Sequence, residues 1–151
     1  MSAPLPPWSI VPLSPSDAAT ADAIIALLRE HNAPYLGRPL PEAFRLALHS
    51  ADGTLVGGLL GQFRSHWLHI EILVVAPALR GSGAGRALIA QAERAARDYG
   101  SHGLWLDTFD FQAPGFYEHL GFTRFGTIAD FHDGQARHFY QKRLHAPQAS
   151  S

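Results

Sequence analysis

The sequence predicts an α/β fold in the order strand-helix-strand-strand-strand-helix-strand-helix-strand-strand. Three stretches carry that expectation. An apolar run rich in β-branched residues (Ile70, Ile72, Val74 and Val75) stops at Pro77 and gives way, through Gly81, Gly83 and Gly85, to a helical repeat of Leu88, Ala92, Ala95 and Tyr99. Asp52-Gly53 between two apolar segments marks one hairpin, and His132-Asp133-Gly134 marks another. With 151 residues the chain suits a single domain over 1–151, with 1–7 and 145–151 expected to be flexible ends.

In chain order, Trp8 to Leu13 reads as a short edge strand, where Pro12 leaves a ladder site unpaired. Ser14 or Ser16 caps a helix over Asp17 to Glu30, whose apolar stripe is Ala21, Ile24, Leu27 and Leu28. Asn32 to Pro39 breaks regular structure, and a loop carrying Tyr35 and Arg38 is a candidate border of a substrate cleft. Phe44 to His49 and Leu55 to Gln62 form the first hairpin; Gly57, Gly58 and Gly61 in its second strand suggest a bulge or close backbone packing. The central strand runs from about Trp67 to Val75. Without a bulge, Leu68, Ile70, Ile72 and Val74 share an apolar face, and Trp67, His69, Glu71, Leu73 and Val75 share a mixed one suited to a cleft wall. Gly100 or Gly103 stops the following helix, and Leu104 to Phe109 is the next strand. A short helix opens at Pro114 or Gly115 and runs through Leu120, before strands at Thr123 to Ile128 and Gln135 to Lys142.

The glycine-rich turn is where chemistry is expected. Three glycines in five residues let the backbone approach a ligand and aim N–H groups at it where a helix N-terminus adds partial positive charge. An anion fits there, a diphosphate above all, with Arg80 and Arg86 adding formal charge. A P-loop would end Gly-Lys-Ser/Thr, but the single lysine is Lys142. A dinucleotide fingerprint fits poorly, since Arg86 and Leu88 stand where its third glycine belongs, although Asp107 near the end of the next strand keeps it open. An ordinary strand-to-helix turn is the remaining alternative.

Arg80-Gly81-Ser82-Gly83-Ala84-Gly85, following Val74-Val75-Ala76-Pro77, resembles the acetyl-coenzyme A (acetyl-CoA) binding motif of the GNAT superfamily of N-acetyltransferases. Phe116-Tyr117-Glu118-His119-Leu120-Gly121-Phe122 resembles that family's Phe-Tyr-x-x-x-Gly-Phe segment, and Asp107 to Tyr117 is similar to a bacterial subgroup with Phe-Gln-Ala-Pro-x-Phe-Tyr. The resemblance implies the GNAT fold, an α/β (α+β) architecture with a mixed, mostly antiparallel central sheet of about seven strands and helices on both faces. It implies acetyl-CoA as co-substrate and no metal. The pyrophosphate contacts map onto Arg80, Gly81, Ser82, Gly83, Ala84, Gly85 and Arg86, and carbonyl polarisation onto a backbone N–H near Val74 or Val75. Gln112, Ala113 and Phe116 complete the implied cofactor site. Many members carry an asparagine that contacts the pantetheine arm where this chain has Asp110.

An acceptor amine attacks only when neutral, whereas a lysine-like ammonium has a pKa of about 10.4, so a base or water chain is expected. Glu71 is the first candidate, supported by the resemblance, and His69 on the same expected face is the alternative. Family resemblance assigns protonation of the departing thiolate to Tyr117. Tyr35 and Trp67 are candidate substrate contacts. The expected acceptor is a primary amine of a small molecule; a protein lysine or N-terminus, or a non-catalytic acyl-CoA sensor, stays open.

Composition narrows the partners. A formal net charge of -1 with mixed signs gives no basic field for nucleic acid. The absence of cysteine excludes disulfides, thiolate ligands and a cysteine nucleophile, so any transfer is direct or uses another nucleophile. The nine histidines show neither His-x-x-x-His nor His-Glu-x-x-His spacing, and no metal is expected. The start lacks the basic and apolar regions of a signal peptide, and no run approaches the roughly 20 apolar residues of a membrane span, so a soluble cytoplasmic protein without a membrane partner is expected. Phe131, Phe139 and Tyr140 leave a homodimer open.

Overall fold

The computed structural model describes residues 1–37 and 40–144. Arg38 and the expected flexible end at 145–151 lie outside the described residues. The chain divides into two compact units, Met1–Arg38 and Pro39–Ser151.

In the first unit, Trp8 to Leu13 does not form the expected strand. Pro7 and Pro12 bracket the segment and remove two backbone donors, which leaves little of a ladder to build. Helix α1 spans Ala18–Leu36 and is capped by Asp17 rather than by a serine. The Thr20 N–H donates to Asp17 Oδ1 at 2.9 Å and the Thr20 hydroxyl to Oδ2 at 2.9 Å, while the hydroxyls of Ser14 and Ser16 bond each other. The helix does not break at Asn32 as expected but runs through Pro34 to Leu36. A proline this close to a C-terminus removes only one intrahelical donor, and the Gly37 N–H closes the end on the Ala33 carbonyl at 2.9 Å.

The second unit holds a sheet of six strands rather than about seven: β1 (Glu42–His49), β2 (Leu55–Arg64), β3 (Trp67–Val75), β4 (Gly103–Phe109), β5 (Thr123–His132) and β6 (Gln135–Arg143). Helix α2 (Ala84–Tyr99) joins β3 to β4, and the short α3 (Gly115–His119) precedes β5. The strand order is β1-β2-β3-β4-β6-β5. Every neighbouring pair is antiparallel except β3 and β4, which need the helical crossover because a parallel pair cannot be joined by a tight turn.

Two features of β3 determine how the sheet opens beside it. Its pairing with β2 slips between Leu60 and Gly61, so that Leu60 faces Ile72, Gly61 faces Ile70, and Glu71 is left over as a bulge. The slip reverses the alternation: Leu68 and Ile70 are buried, but beyond the bulge it is Leu73 and Val75 that pack on the core while Ile72 and Val74 are exposed. The expected uniform apolar face of Leu68, Ile70, Ile72 and Val74 is therefore split, because one extra residue moves every later side chain to the other side. At the same level, the parallel pairing of β3 with β4 ends at Ile70 and Leu106, and the two strands part.

Helix α2 buries Leu88, Ile89, Ala92 and Ala96 against Leu59, Phe63, Leu68, Ile70, Leu104 and Leu106. Each buried large aliphatic side chain there stabilises the fold by about 1.5–3 kcal/mol relative to exposure. Tyr99 at the helix end stacks on Phe63 with ring centroids 4.1 Å apart. Lys142 Nζ donates to Glu93 Oε1 and to the Leu120 carbonyl, both at 2.7 Å, and so ties α2 and the end of α3 to β6. Among the described residues, no helix is long and apolar enough to cross a membrane.

Candidate active site

Where β3 and β4 part, a cleft of about 850 Å³ opens within the second unit. Its walls are β3 from Glu71 to Val75, the loop into α2, β4 from Asp107 to Phe109, the turn after β4, and Phe116 and Tyr117 of α3.

The loop is shaped by its own backbone. A short turn over Pro77–Leu79 lets the Arg80 N–H donate to the Pro77 carbonyl at 3.2 Å, and the Ser82 N–H to the Leu79 carbonyl at 3.1 Å. Gly83 then caps α2 at φ 89°, a left-handed conformation that suits glycine, and its carbonyl accepts from the Ala87 N–H at 3.0 Å. Among the described residues, the N–H groups of Gly81, Gly83, Gly85 and Arg86 have no backbone acceptor. They stand at a helix N-terminus, where partial positive charge collects. Arg80, Gly81, Gly83, Ala84, Gly85 and Arg86 all line the cleft. Ser82 does not; its hydroxyl donates back to the Leu79 carbonyl. Gly85 serves packing instead of turning, since a Cβ there would stand 3.2 Å from Phe116 Cζ.

The turn after β4 is held from both sides. Gln112 Oε1 accepts from the Phe109 N–H at 3.0 Å, and Ala113 adopts the left-handed conformation at φ 57°. The Ala113 carbonyl accepts from the Phe116 N–H at 3.1 Å to start α3. Asp110 points away from the cleft: Oδ2 accepts from the Ala136 N–H at 2.8 Å, and Oδ1 lies 2.5 Å from Nε2 of the buried His138, whose Nδ1 meets the Thr127 hydroxyl at 3.0 Å. The Ala136 N–H and the His138 ring hold the Asp110 carboxyl below the usual carboxylate range. Asp110 thus fastens the turn to β6 and is not among the cleft-lining residues.

Tyr117 is 8% exposed, with its ring packed edge-on against Phe116 and Phe122. Its hydroxyl makes no hydrogen bond among the described residues. Burial, reinforced by the negative charge of Asp107, pushes the phenol up to about 12. Glu71, the bulge residue, is exposed on the cleft wall.

Besides Ser82, the expected site residues His69 and Trp67 are not in this wall, and Tyr35 belongs to the other unit. His69 stacks on Trp105 with ring centroids 3.7 Å apart, its buried Nε2 has no hydrogen-bond partner among the described residues, and burial lowers its pKa against the opposing pull of Glu71 and Asp107. It does not share an alternating face with Glu71, because the bulge intervenes. Trp67 sits at the paired end of β3, opposite Gly103, beside Trp105, Phe125 and Phe139 and under the Arg143 guanidinium. The strands part at the other end of β3, so Trp67 is no cleft contact. Tyr35 lies in the last turn of α1, in the first unit, not on a loop.

Sequence reasoning names Asp107 only as the acidic residue that keeps a poorly fitting dinucleotide fingerprint open, not as a residue of the acetyl-transfer site. Asp107 lines the cleft and accepts from Arg137 Nε at 2.7 Å. The alternation Trp105, Asp107, Phe109 on a strand bordering the glycine loop is the available signal; nothing local announces its partner, which lies on β6.

Comparison with known proteins agrees with this geometry. The profile of the Acetyltransferase (GNAT) family matches residues 17–122. The chain is 41% identical to the blasticidin-S acetyltransferase of Streptomyces morookaense over 108 residues, 71% of this chain and 79% of that protein. It is 33% identical to acetyltransferase Atu2258 of Agrobacterium fabrum over 132 residues, 85% of this chain and 96% of that one. The crystal structure of an acetyltransferase from Bacillus cereus superposes with a TM-score of 0.81 at 28% identity, covering 89% of this chain and 98% of that one. A six-stranded mixed sheet that opens between β3 and β4 onto a glycine loop, together with these matches, establishes that the chain belongs to the Acetyltransferase (GNAT) family.

Proposed function

We propose that the protein moves the acetyl group of acetyl-CoA directly onto a primary amine of a small molecule. One observation carries this reading: a single cleft joins unsatisfied N–H groups at the start of α2, an exposed carboxylate at Glu71 and a buried phenol at Tyr117. The loop fits a diphosphate, because a Cβ built at Gly81 or Gly83 meets nothing within 4 Å among the described residues and the backbone is open to an anion. Similarity to a blasticidin-S acetyltransferase supports a small-molecule acceptor.

In this reading, the N–H groups of Gly81, Gly83, Gly85 and Arg86 hold the pyrophosphate, and the Arg80 and Arg86 side chains add charge. Gln112, Ala113 and Phe116 border the pantetheine arm. Beyond Ile70 the β3 edge facing β4 is unpaired, so an N–H near Val74 or Val75 is free to polarise a carbonyl oxygen. Acetyl-CoA supplies the activated acyl group as a thioester. A Glu71 carboxylate oxygen takes the proton from the acceptor nitrogen, directly or through water. The Tyr117 hydroxyl, kept protonated by its burial, gives its proton to the departing sulfur. Transfer is direct in this reading, and the chain has no cysteine to carry a thioester.

A thiol-release assay over a panel of amines, peptides and no acceptor tests this. Amine-dependent thiol, matched by acetylated amine in the mass spectrum, is the expected result. Binding of acetyl-CoA with no thiol from any acceptor would identify a sensor, and release with lysine or N-terminal peptides alone would identify a protein acetyltransferase.

A further inference from the structure

Alternation along β4 sends Leu104, Leu106 and Thr108 into the core and leaves Trp105, Asp107 and Phe109 on the opposite face. Asp107 Oδ2 is held by Arg137 Nε at 2.7 Å, and the same guanidinium lies over the rings of Phe131 and Phe139 at 5.1 and 5.3 Å. Arg137 is thus fixed by two kinds of contact and fixes Asp107 in turn. The second carboxylate oxygen, Oδ1, has no hydrogen-bond partner among the described residues. The Asp107 carboxylate acts on two neighbours, adding to the burial that raises the Tyr117 phenol and opposing the burial that lowers His69.

Beside this carboxylate stands an aromatic wall. Phe109 stacks on Phe111 with centroids 5.3 Å apart and planes within 8°, and leans on Phe131 at 5.4 Å. Phe111 is 66% exposed yet lines the cleft, backed by Phe109 rather than buried in the core. A flat apolar ring held open in the same cleft as a fixed anion matches one kind of ligand: apolar contact area on one side and positive charge on the other.

We infer that Asp107 receives the acceptor in its ammonium form, before Glu71 takes the proton, while the exposed face of Phe111 stacks on a flat ring attached to it, so that the acceptor class is a cationic amine carried on an aromatic or heteroaromatic group. The inference rests on the acetyl-transfer reading of this cleft and names its acceptor. Arg137 is a positioning residue: it orients Oδ1 and touches no acceptor.

Binding of three probes to the full chain saturated with coenzyme A, measured by calorimetry, tests this. The probes are phenethylamine (ring and charge), butylamine (charge only) and phenethyl alcohol (ring only). Phenethylamine is expected to bind at least about tenfold more tightly than either of the others, with Asp107→Asn reducing it to the level of phenethyl alcohol and Phe111→Ala to that of butylamine. Asp107→Glu, which keeps the charge, should recover part of the loss that Asp107→Asn causes, a rescue that a purely structural role would not give. Equal binding of all three probes by the wild type, no detectable binding of phenethylamine, or wild-type affinity in Asp107→Asn overturns the anchor. Thiol release is read separately. Tight phenethylamine binding with no thiol release from acetyl-CoA by any amine contradicts acetyl transfer and upholds the anchor, whereas thiol release with unaltered binding by Asp107→Asn contradicts the anchor alone.

Discussion

Ser82 Oγ donates to the Leu79 carbonyl at 2.5 Å, so the hydroxyl of the glycine loop is committed to the loop and the cleft is met by backbone. Ser82→Ala is therefore expected to change acetyl-CoA affinity by less than about threefold, in keeping with the modest net worth of one exposed hydrogen bond. Gly83→Val places a β-branched residue at φ 89°, a conformation that costs an L-residue about 1–2 kcal/mol, and turns the N–H groups from the ligand. Its affinity should fall on the order of tenfold or more. Isothermal titration with acetyl-CoA decides. Equal effects of the two substitutions contradict backbone recognition, and steep salt dependence would move the affinity to Arg80 and Arg86.

Glu71→Gln keeps the bulge and the side-chain volume but removes the base. The acidic limb of the pH–rate profile should shift or vanish and kcat should drop by about 10²–10⁴, with acetyl-CoA affinity nearly unchanged. His69→Ala, on the same strand but stacked on Trp105 outside the cleft wall, should leave that limb in place. A limb that moves with His69 and not with Glu71 would transfer the proton acceptor to the histidine.

Stability should also depend on pH through His69. Burial lowers its folded pKa below the ordinary value of 6.5. Above 6.5 both folded and unfolded states are neutral there and no contribution arises. As pH falls through 6.5 the unfolded chain takes up a proton that the folded chain refuses, so stability declines until the folded pKa is reached. Urea unfolding between pH 7.5 and 5 should show a shallower decline in His69→Phe, which keeps a ring on Trp105. Parallel declines in the two proteins would place the acid sensitivity elsewhere.

The parts of this fold written in local chemistry are legible in the sequence. Asp52-Gly53 predicts the first hairpin, and the change from β-branched residues to a helical repeat marks α2 from Ala84 to Tyr99 as it stands. The parts that depend on distant pairing are not. Glu71 becomes a bulge only because of how β2 meets β3, and that slip decides which of Ile72, Leu73, Val74 and Val75 face the core. Nor does Asp110 reveal from its neighbours that its carboxylate will be taken by Ala136 and His138 on β6. Among the site residues, the glycine loop and Phe116-Tyr117 can be read because backbone geometry and an aromatic pair leave a sequence pattern. The Asp107–Arg137 pair leaves none, being made across strands thirty positions apart.

Tyr117→Phe tests transfer in this cleft most directly. The substitution keeps the ring, which packs against Phe116 and Phe122, and removes only a hydroxyl that makes no hydrogen bond among the described residues. Folding stability and acetyl-CoA affinity should therefore stay near wild type, while kcat with the best acceptor, under conditions where chemistry limits the rate, falls by something on the order of 10²–10³. A variant that keeps wild-type kcat under those conditions would contradict Tyr117 as the proton donor.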